Sequence, residues 1–448
     1  MSTRSPHILV VGGGYVGMYT ALRLLRRLRA GEATVTVVDP RSYMTYQPFL
    51  PEAGAGSIQP RHTVVPLRKV LRGARVLSGY VTSVDHERRV ATVEPLEGEP
   101  YDLPYDILVM AAGSVSRTLP VPGLAEWATG FKTVEEAIQL RNRVLECLDV
   151  ADSARDPRVR ERNLTFVVVG GGYAGTEALA ELEDMARYAC RFYPNISPEE
   201  MRWVLVEASD RILPEVGEDM GRYALAQLRE RGIDVRLSTR LESTVDGEVV
   251  LSDGTRMLSD TVVWTAGVKP NPLLASTDLP LDERGRLRCR ATLAVDGVDD
   301  AWGAGDCTAV PDLTNPGQFC SPSAQHAVRQ AKVLGDNIVA ALRGEEPRQY
   351  EHRYAGSVAS LGLYKGVAQV YGVKLRGFPA WFMHRTYHMS RVPTLQRKVA
   401  VVADWTLAFF FQRDITSLWG MHDPFREFTS VASEGRPTTE SSGAPRVA

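Results

Sequence analysis

Apolar residues fall in short blocks along the chain, each closed by glycine, and this spacing predicts an α/β fold. The first block, HILVV from His7, reads as a buried strand. A tight glycine turn follows, and then the helix pattern of YVGMYTALRLLRRL. A second strand, TVTVV, ends at Asp39. The same order returns in residues 164–182, LTFVVVGGGYAGTEALAEL, followed by the strand RWVLVEA, which ends at Glu207. Between the two units, YDLPYDILVMAAGS (residues 101–114) predicts a turn, a buried strand and an Ala/Gly loop. LSDTVVWTAGVKPN (residues 258–271) predicts a similar strand leaving a domain. These paired exits argue for inserted domains rather than two independent beads.

Both glycine turns fit GxGxxG, as Gly12, Gly14 and Gly17 and again as Gly170, Gly172 and Gly175. The first glycine permits the turn, the second lets a pyrophosphate approach, and the third allows close helix packing. Each helix N-terminus then offers unpaired N–H groups and its positive dipole end to phosphate. Asp39 lies 22 residues after Gly17, where a carboxylate accepts hydrogen bonds from ribose hydroxyls. The interval from Gly175 to Glu207 is longer, 32 residues, and YACRFYPNISPEE, with Pro194 and Pro198, reads as an inserted connection. Glu207 favours an unphosphorylated adenosine ribose, because a 2′-phosphate would meet like charge. Two such folds suggest two ligands, a retained redox cofactor and a nicotinamide donor, although duplicated structural domains without catalysis stay open.

Composition narrows the class. The chain has 448 residues, 54 acidic and 52 basic, with 44% apolar residues. That balance argues against disorder, collagen or a protein built to coat nucleic acid. The five cysteines, Cys147, Cys190, Cys289, Cys307 and Cys320, form no CxxC pair, which favours a reducing compartment. Met1–Pro6 leaves no room for a signal peptide ahead of the first strand, and no stretch reaches the apolar length of a spanning helix. No metal site is expected: His384 and His388 have i,i+4 spacing but lack the glutamate of HExxH and a third ligand. Ser/His hydrolase chemistry lacks a GxSxG context, and nucleic-acid binding lacks a basic-aromatic module.

With these motifs the sequence resembles the two-dinucleotide-binding-domain flavoproteins, and VDDAWGAGDCTAV (residues 298–310) looks like their FAD-binding Gly-Asp motif. More narrowly, residues 7–425 resemble the type II NADH:quinone oxidoreductases, most distinctively in SPSAQHAVRQAK (321–332) and SLGLYKGVAQVYGVKLRGFPAW (360–381). The resemblance implies two Rossmann-like dinucleotide-binding domains and a C-terminal membrane-associating domain. The FAD-binding domain would span residues 1–115 and return over 285–343. The NADH-binding domain would occupy 116–284, a membrane and quinone-associated domain 344–430, and a flexible tail 431–448. It further implies FAD contacts at Gly12, Gly14, Gly17, Asp39, Ala112, Gly113, Asp306 and Gln325. NADH contacts fall at Gly170, Gly172, Gly175, Glu177, Glu207 and Gly267, and quinone contacts at Gln325 and His326. Glu177 matches a functional glutamate near nicotinamide and flavin, and Lys365 a lysine close to flavin. Their coupling is set against separate salt-bridge roles, and Gln325 and His326 against ordinary helix hydrogen bonds.

The implied reaction moves two electrons from NADH through FAD to a membrane quinone, menaquinone or ubiquinone, without proton pumping. A soluble NADH-dependent flavin reductase and an FAD-containing redox-sensing interaction protein are the alternatives. Disulfide reduction lacks its closely spaced cysteine pair, since residues 39–60 contain no cysteine, while Cys147 and Cys320 keep sulfide:quinone chemistry open. From Pro379 to Ala403 there are Arg385, Arg391, Arg397 and Lys398 and no acid, interleaved with aromatic residues that continue to Phe411. Two short helices interrupted near Pro393 are expected to lie on an anionic lipid surface, the protein being peripheral on the cytoplasmic face of the cell membrane. A homodimer interface would give a similar pattern.

Overall fold

The computed structural model describes residues 5–352, 356–418 and 429; the expected tail, 431–448, lies outside them. The first apolar blocks form the centre of a seven-stranded sheet. Its order is Ala301–Gly303, Ile107–Met110, His7–Val11, Thr34–Asp39, Arg75–Asp85, Val90–Pro95 and Tyr101–Pro104. The first five strands run parallel and the last two fold back antiparallel. Ile8, Leu9 and Val10 are completely buried, as a central parallel strand covered on both faces requires. One edge strand thus comes from residues 301–303, so the chain leaves this sheet and returns to it.

On one face the helix Tyr15–Arg27 packs against Ala324–Leu342. Met18, Ala21 and Leu24 meet Ala327, Leu334 and Ile338 in one core. Gly335 lets the two backbones approach, since a methyl there would press on the Arg23 side chain. Arg23 donates to Asp336 at 2.7 Å at the solvent edge of this contact.

The second unit is a five-stranded parallel sheet in the order Ala128–Gly130, Thr261–Trp264, Thr165–Val169, Arg202–Val206 and Asp234–Arg236. The long interval before Glu207 is filled by a 17-residue helix, Tyr173–Ala189, and two single turns, Cys190–Phe192 and Pro198–Glu200. The two exits pair with each other: Ser114–Ser116 and Val268–Pro270 form an antiparallel ribbon between the units. Two Rossmann-like layers are therefore joined by a double linker.

The C-terminal part begins with a three-stranded antiparallel sheet, Gly356–Ser360, Gly366–Val370 and Val373–Arg376. Helices Phe378–Arg391 and Leu395–Phe411 follow. Pro393 separates them, and the Thr394 hydroxyl caps the second by accepting from Arg397 N–H. Their inner faces complete a small core of Tyr46, Phe49, Ile58, Val392 and Val401, with Trp405 edge-on to Phe49. Their outer face leaves Leu395, Phe409, Phe410 and Phe411 in solvent, Phe411 at 77% exposure. Among the described residues no helix is long and apolar enough to cross a membrane.

Candidate active site

The two glycine turns have the same construction. Gly12 and Gly170 have φ of 101° and 113°, and each donates its N–H to the end of the neighbouring strand, Val38 and Val206, at 2.8 Å. A methyl on Gly17 would collide with the Gly12 carbonyl, and one on Gly175 with the Gly170 carbonyl. A methyl on Gly14 or Gly172 would meet nothing within 4 Å. The middle glycine of each turn therefore faces open space. Neither helix has a side-chain cap at its N-terminus, which leaves the first N–H groups free for an anion.

The acidic residues close these turns. Asp39 accepts from Gly13 N–H at 2.6 Å and Arg41 N–H at 2.7 Å, and burial raises its pKa against these bonds. Glu207 accepts from Gly171 N–H at 2.6 Å and from Ser209 at 2.7 Å.

A cavity of about 1910 Å³ runs from the second turn to the C-terminal helices. That is roughly twice the upper end of the usual range for one ligand. Gly170, Gly172, Glu177, Glu207 and Gly267 line it, as do Asp306, Gln325, Tyr387 and His388. Asp306 accepts from the Ser114 hydroxyl at 2.8 Å, and Ser114 in turn accepts from Lys132 Nζ at 2.7 Å. Burial lowers the Lys132 pKa, with Asp306 and Glu136 opposing the shift. Gly12, Gly14, Gly17, Asp39, Ala112 and Gly113 are not in the lining, yet a methyl on Gly113 would also meet open space. The Ala112 carbonyl accepts from Asn271 and so ties the first exit to the second. This donor set fits FAD: an uncapped helix terminus over an open glycine, an acid beside it, and Lys132 and Asp306 in the adjoining cavity.

Gln325 lies on the cavity wall. Its amide donates to the Gly356 carbonyl at 3.4 Å, and its Oε1 is 2.9 Å from His352 Nε2. Burial and the Arg329 charge hold His352 down, to about 4, so it stays neutral. The buried His326 instead turns to Tyr350, with Nδ1 2.9 Å from the hydroxyl, and does not line the large cavity.

Glu177 is 6% exposed and accepts from Ser360 N–H at 2.8 Å. Its ionic partner is His384, with Nε2 at 3.1 Å. Among the described residues Lys365 forms no ion pair with Glu177; it sits in the turn before Gly366–Val370, outside the cavity lining. Burial alone would lower the His384 pKa, but Glu177, Glu52 and Glu181 raise it above its usual value. A charged cluster continues behind this pair. Glu181, completely buried, lies 2.8 Å from Arg413, and Glu52 accepts from Trp405 at 2.7 Å and faces Arg385 at 2.9 Å.

Sequence reasoning did not find His384, Glu52, Arg385 or Arg413 as members of this cluster. Arg385, expected at lipid head groups, is buried over Trp381 with its guanidinium 4.3 Å from the ring centroid. Arg397 donates to the Val64 carbonyl and Lys398 to the Ser390 carbonyl. One available signal was the i,i+4 histidine pair, which on a helix places both rings on one face.

The five cysteines are buried and unpaired. Burial pushes Cys147 and Cys320 up to about 11 and Cys307 to about 12. Such thiols are protonated and unreactive at neutral pH. Among the described residues no cluster of His, Cys, Asp and Glu could hold a metal.

Residues 6–331 match the family model described as pyridine nucleotide-disulphide oxidoreductase. The type II NADH:quinone oxidoreductase of Staphylococcus aureus is 30% identical over 384 residues, covering 84% of this chain and 93% of that protein. Type II NADH:quinone oxidoreductase Ndh of Mycobacterium tuberculosis is 28% identical over 425 residues, covering 92% and 89%. The structure of NDH2 from Plasmodium falciparum in complex with NADH has the same fold. Its TM-score is 0.86 at 17% identity, over 92% of this chain and 100% of that one.

Proposed function

Because this chain belongs to the type II NADH:quinone oxidoreductases, within the pyridine nucleotide-disulphide oxidoreductase family, we propose a role for each part of its cavity. The protein is an FAD-dependent oxidoreductase that passes two electrons from NADH to a quinone, giving NAD+ and quinol. Bound FAD supplies the redox chemistry, accepting a hydride equivalent and releasing two electrons. The observation that carries the reading is the single cavity joining the second glycine turn to Gln325 and the C-terminal helices.

In this reading the first turn, Asp39, Ala112, Gly113 and Asp306 hold FAD, and Lys132 neutralises charge beside Asp306. The N–H groups after Gly172 receive the NADH pyrophosphate while Glu207 binds the adenosine ribose. Glu207 meets this ribose already oriented by Gly171 and Ser209, and a 2′-phosphate would face its charge. Gly267, also in the lining, leaves room for the dinucleotide, since a methyl there would meet nothing within 4 Å. Gln325, oriented by His352, offers its amide to a quinone oxygen, and His326 supports the same helix through Tyr350. Coupling of Glu177 with Lys365 was expected beside separate salt-bridge roles; in this reading Glu177 works with His384, and Lys365, half-buried outside the cavity lining, keeps a separate role.

The exposed row of Leu395, Val399, Val402, Phe409, Phe410 and Phe411 supports docking on an anionic lipid surface, where a membrane quinone enters beside Tyr387. We place this surface on the cytoplasmic face of the membrane, the side that holds the NADH pool. Anaerobic stopped-flow absorbance tests the reading. NADH should bleach the flavin and a quinone should restore it; bleaching without recovery would refute the quinone assignment in favour of a soluble reductase.

A further inference from the structure

Two histidines lie one helical turn apart beside Glu177, and the second of them lines the cavity. His384 is 2% exposed, with Nε2 on Glu177 and Nδ1 buried without a hydrogen-bond partner. Its ring meets the His388 ring edge-on, centroids 4.6 Å apart. His388 in turn lines the cavity and shares a hydrogen bond of 3.2 Å between its Nδ1 and the Tyr46 hydroxyl. An imidazole protonated on both nitrogens needs an acceptor on each, and the His388 ring packs directly against that of His384.

The surroundings polarise this pair. Glu52, Glu177 and Glu181 face His384 from two other helices and raise its pKa above the usual value, against the effect of burial. Burial and the charge on His384 hold His388 well below its usual value, so it is neutral at rest. Tyr46, whose hydroxyl burial keeps protonated, faces His388 from the chain before Gln47–Phe49. On the histidines' own helix Arg385 turns to Glu52, while Arg391 lies over the Tyr387 ring at 5.3 Å. A group whose protonated form the acids favour is thus set beside one whose protonated form burial disfavours, and the latter opens on the cavity.

Quinol formation consumes two electrons and two protons. NADH supplies the electrons with one hydrogen, so a second proton must come from solvent for each turnover. We propose that His384 and His388 carry this proton, His388 releasing it to a quinone oxygen and His384, in contact with Glu177, refilling it. This rests on the quinone reading above. In the last transfer an imidazolium N–H bond breaks and the O–H bond of the quinol forms, leaving His388 neutral. Solvent then restores the proton by way of Glu177, which also lines the cavity.

The test uses the FAD-loaded full chain in anaerobic stopped flow, with NADH and then a short-tailed quinone, from pH 6 to 9 in H₂O and D₂O. For His388→Asn, reoxidation by quinone should slow roughly 10²-fold, the usual size of a general-acid effect, with flavin reduction by NADH within about twofold. His384→Gln keeps a hydrogen-bond donor for Glu177 but cannot hold the charge, and should lower the same step and flatten its pH dependence. Wild type should show a solvent isotope effect on reoxidation that both variants lose. Wild-type rates and pH profiles in both variants, or equal slowing of both half-reactions, would overturn the relay. Failure of quinone to reoxidise wild type would overturn the quinone reading, and the relay with it.

Discussion

Replacing Arg413 tests how the C-terminal strap is held to the NADH-side helix. Arg413 Nη2 lies 2.8 Å from Glu181 Oε2, and its Nη1 donates to the Glu181 carbonyl at 2.9 Å. Glu181 is completely buried. Burial by itself would raise the Glu181 pKa, but Arg413, Arg385 and the Ser360 hydroxyl outweigh it and hold the carboxyl below its usual value. Removing one partner of a buried pair costs about 3–5 kcal/mol, because the other charge is left without compensation. Ser360, which donates to Glu181 at 3.0 Å, and Arg385 remain in Arg413→Met, so the lower end, about 3 kcal/mol, is expected. At about 2–4 °C per kcal/mol for domains of this size, the thermal midpoint should fall by roughly 6–12 °C.

The pH dependence has a definite sign. In wild type the depressed carboxyl contributes stability that is present above its unfolded value and is lost as pH falls through the lower, folded one. In Arg413→Met the folded value rises above the unfolded one, so the deficit is full at pH 8 and shrinks toward pH 5.5. Thermal unfolding at saturating FAD measures this, and Glu181→Gln with Arg413→Met should recover most of the loss, since no buried charge is left unpaired. A single variant within about 1 kcal/mol of wild type, or a double variant no better than the single, would refute the reasoning.

Three other outcomes follow from the site. Gly14→Ala should fold but lose FAD on dialysis, because the methyl enters open space, whereas Gly17→Ala should fail to accumulate as folded protein because it meets the Gly12 carbonyl; flavin content and circular dichroism separate the two. Glu207→Gln should raise the KM for NADH about tenfold with little change in kcat and narrow the preference over NADPH, as loss of a charge-assisted bond predicts. Iodoacetamide at pH 7.5 should leave NADH-to-quinone turnover unchanged, since all five thiols are buried and raised; parallel loss of activity and free thiol would restore a cysteine mechanism.

The glycine turns and their strands were legible because their information is local. Gly12 needs its φ of 101° whatever surrounds it, and the uncharged run around Val10 can sit only inside a sheet. The insertion before Glu207 was legible for the same reason, through its prolines. The charged cluster was not. His384 meets Glu177, and Arg413 meets Glu181, across more than 200 residues of sequence, and neither contact leaves a periodic trace. Arg385 was misplaced at the lipid surface because its neighbours are aromatic. The structure uses those rings to cover a guanidinium that Glu52 already holds. Hydrophobic pattern reports a face, and it does not report which charge will be taken inside with it.

The helix Leu395–Phe411 has a consequence for anyone wishing to handle the protein without detergent. Its outer row ends in three exposed phenylalanines, while its inner row supplies Val401 and Trp405 to the core beneath Tyr46 and Phe49. Deleting the helix to remove the greasy surface would also remove the floor of the first unit and uncover Glu52. The surface and the floor can be separated only residue by residue: polar replacements at Phe409, Phe410 and Phe411 shed the sticky edge and leave the inner row whole.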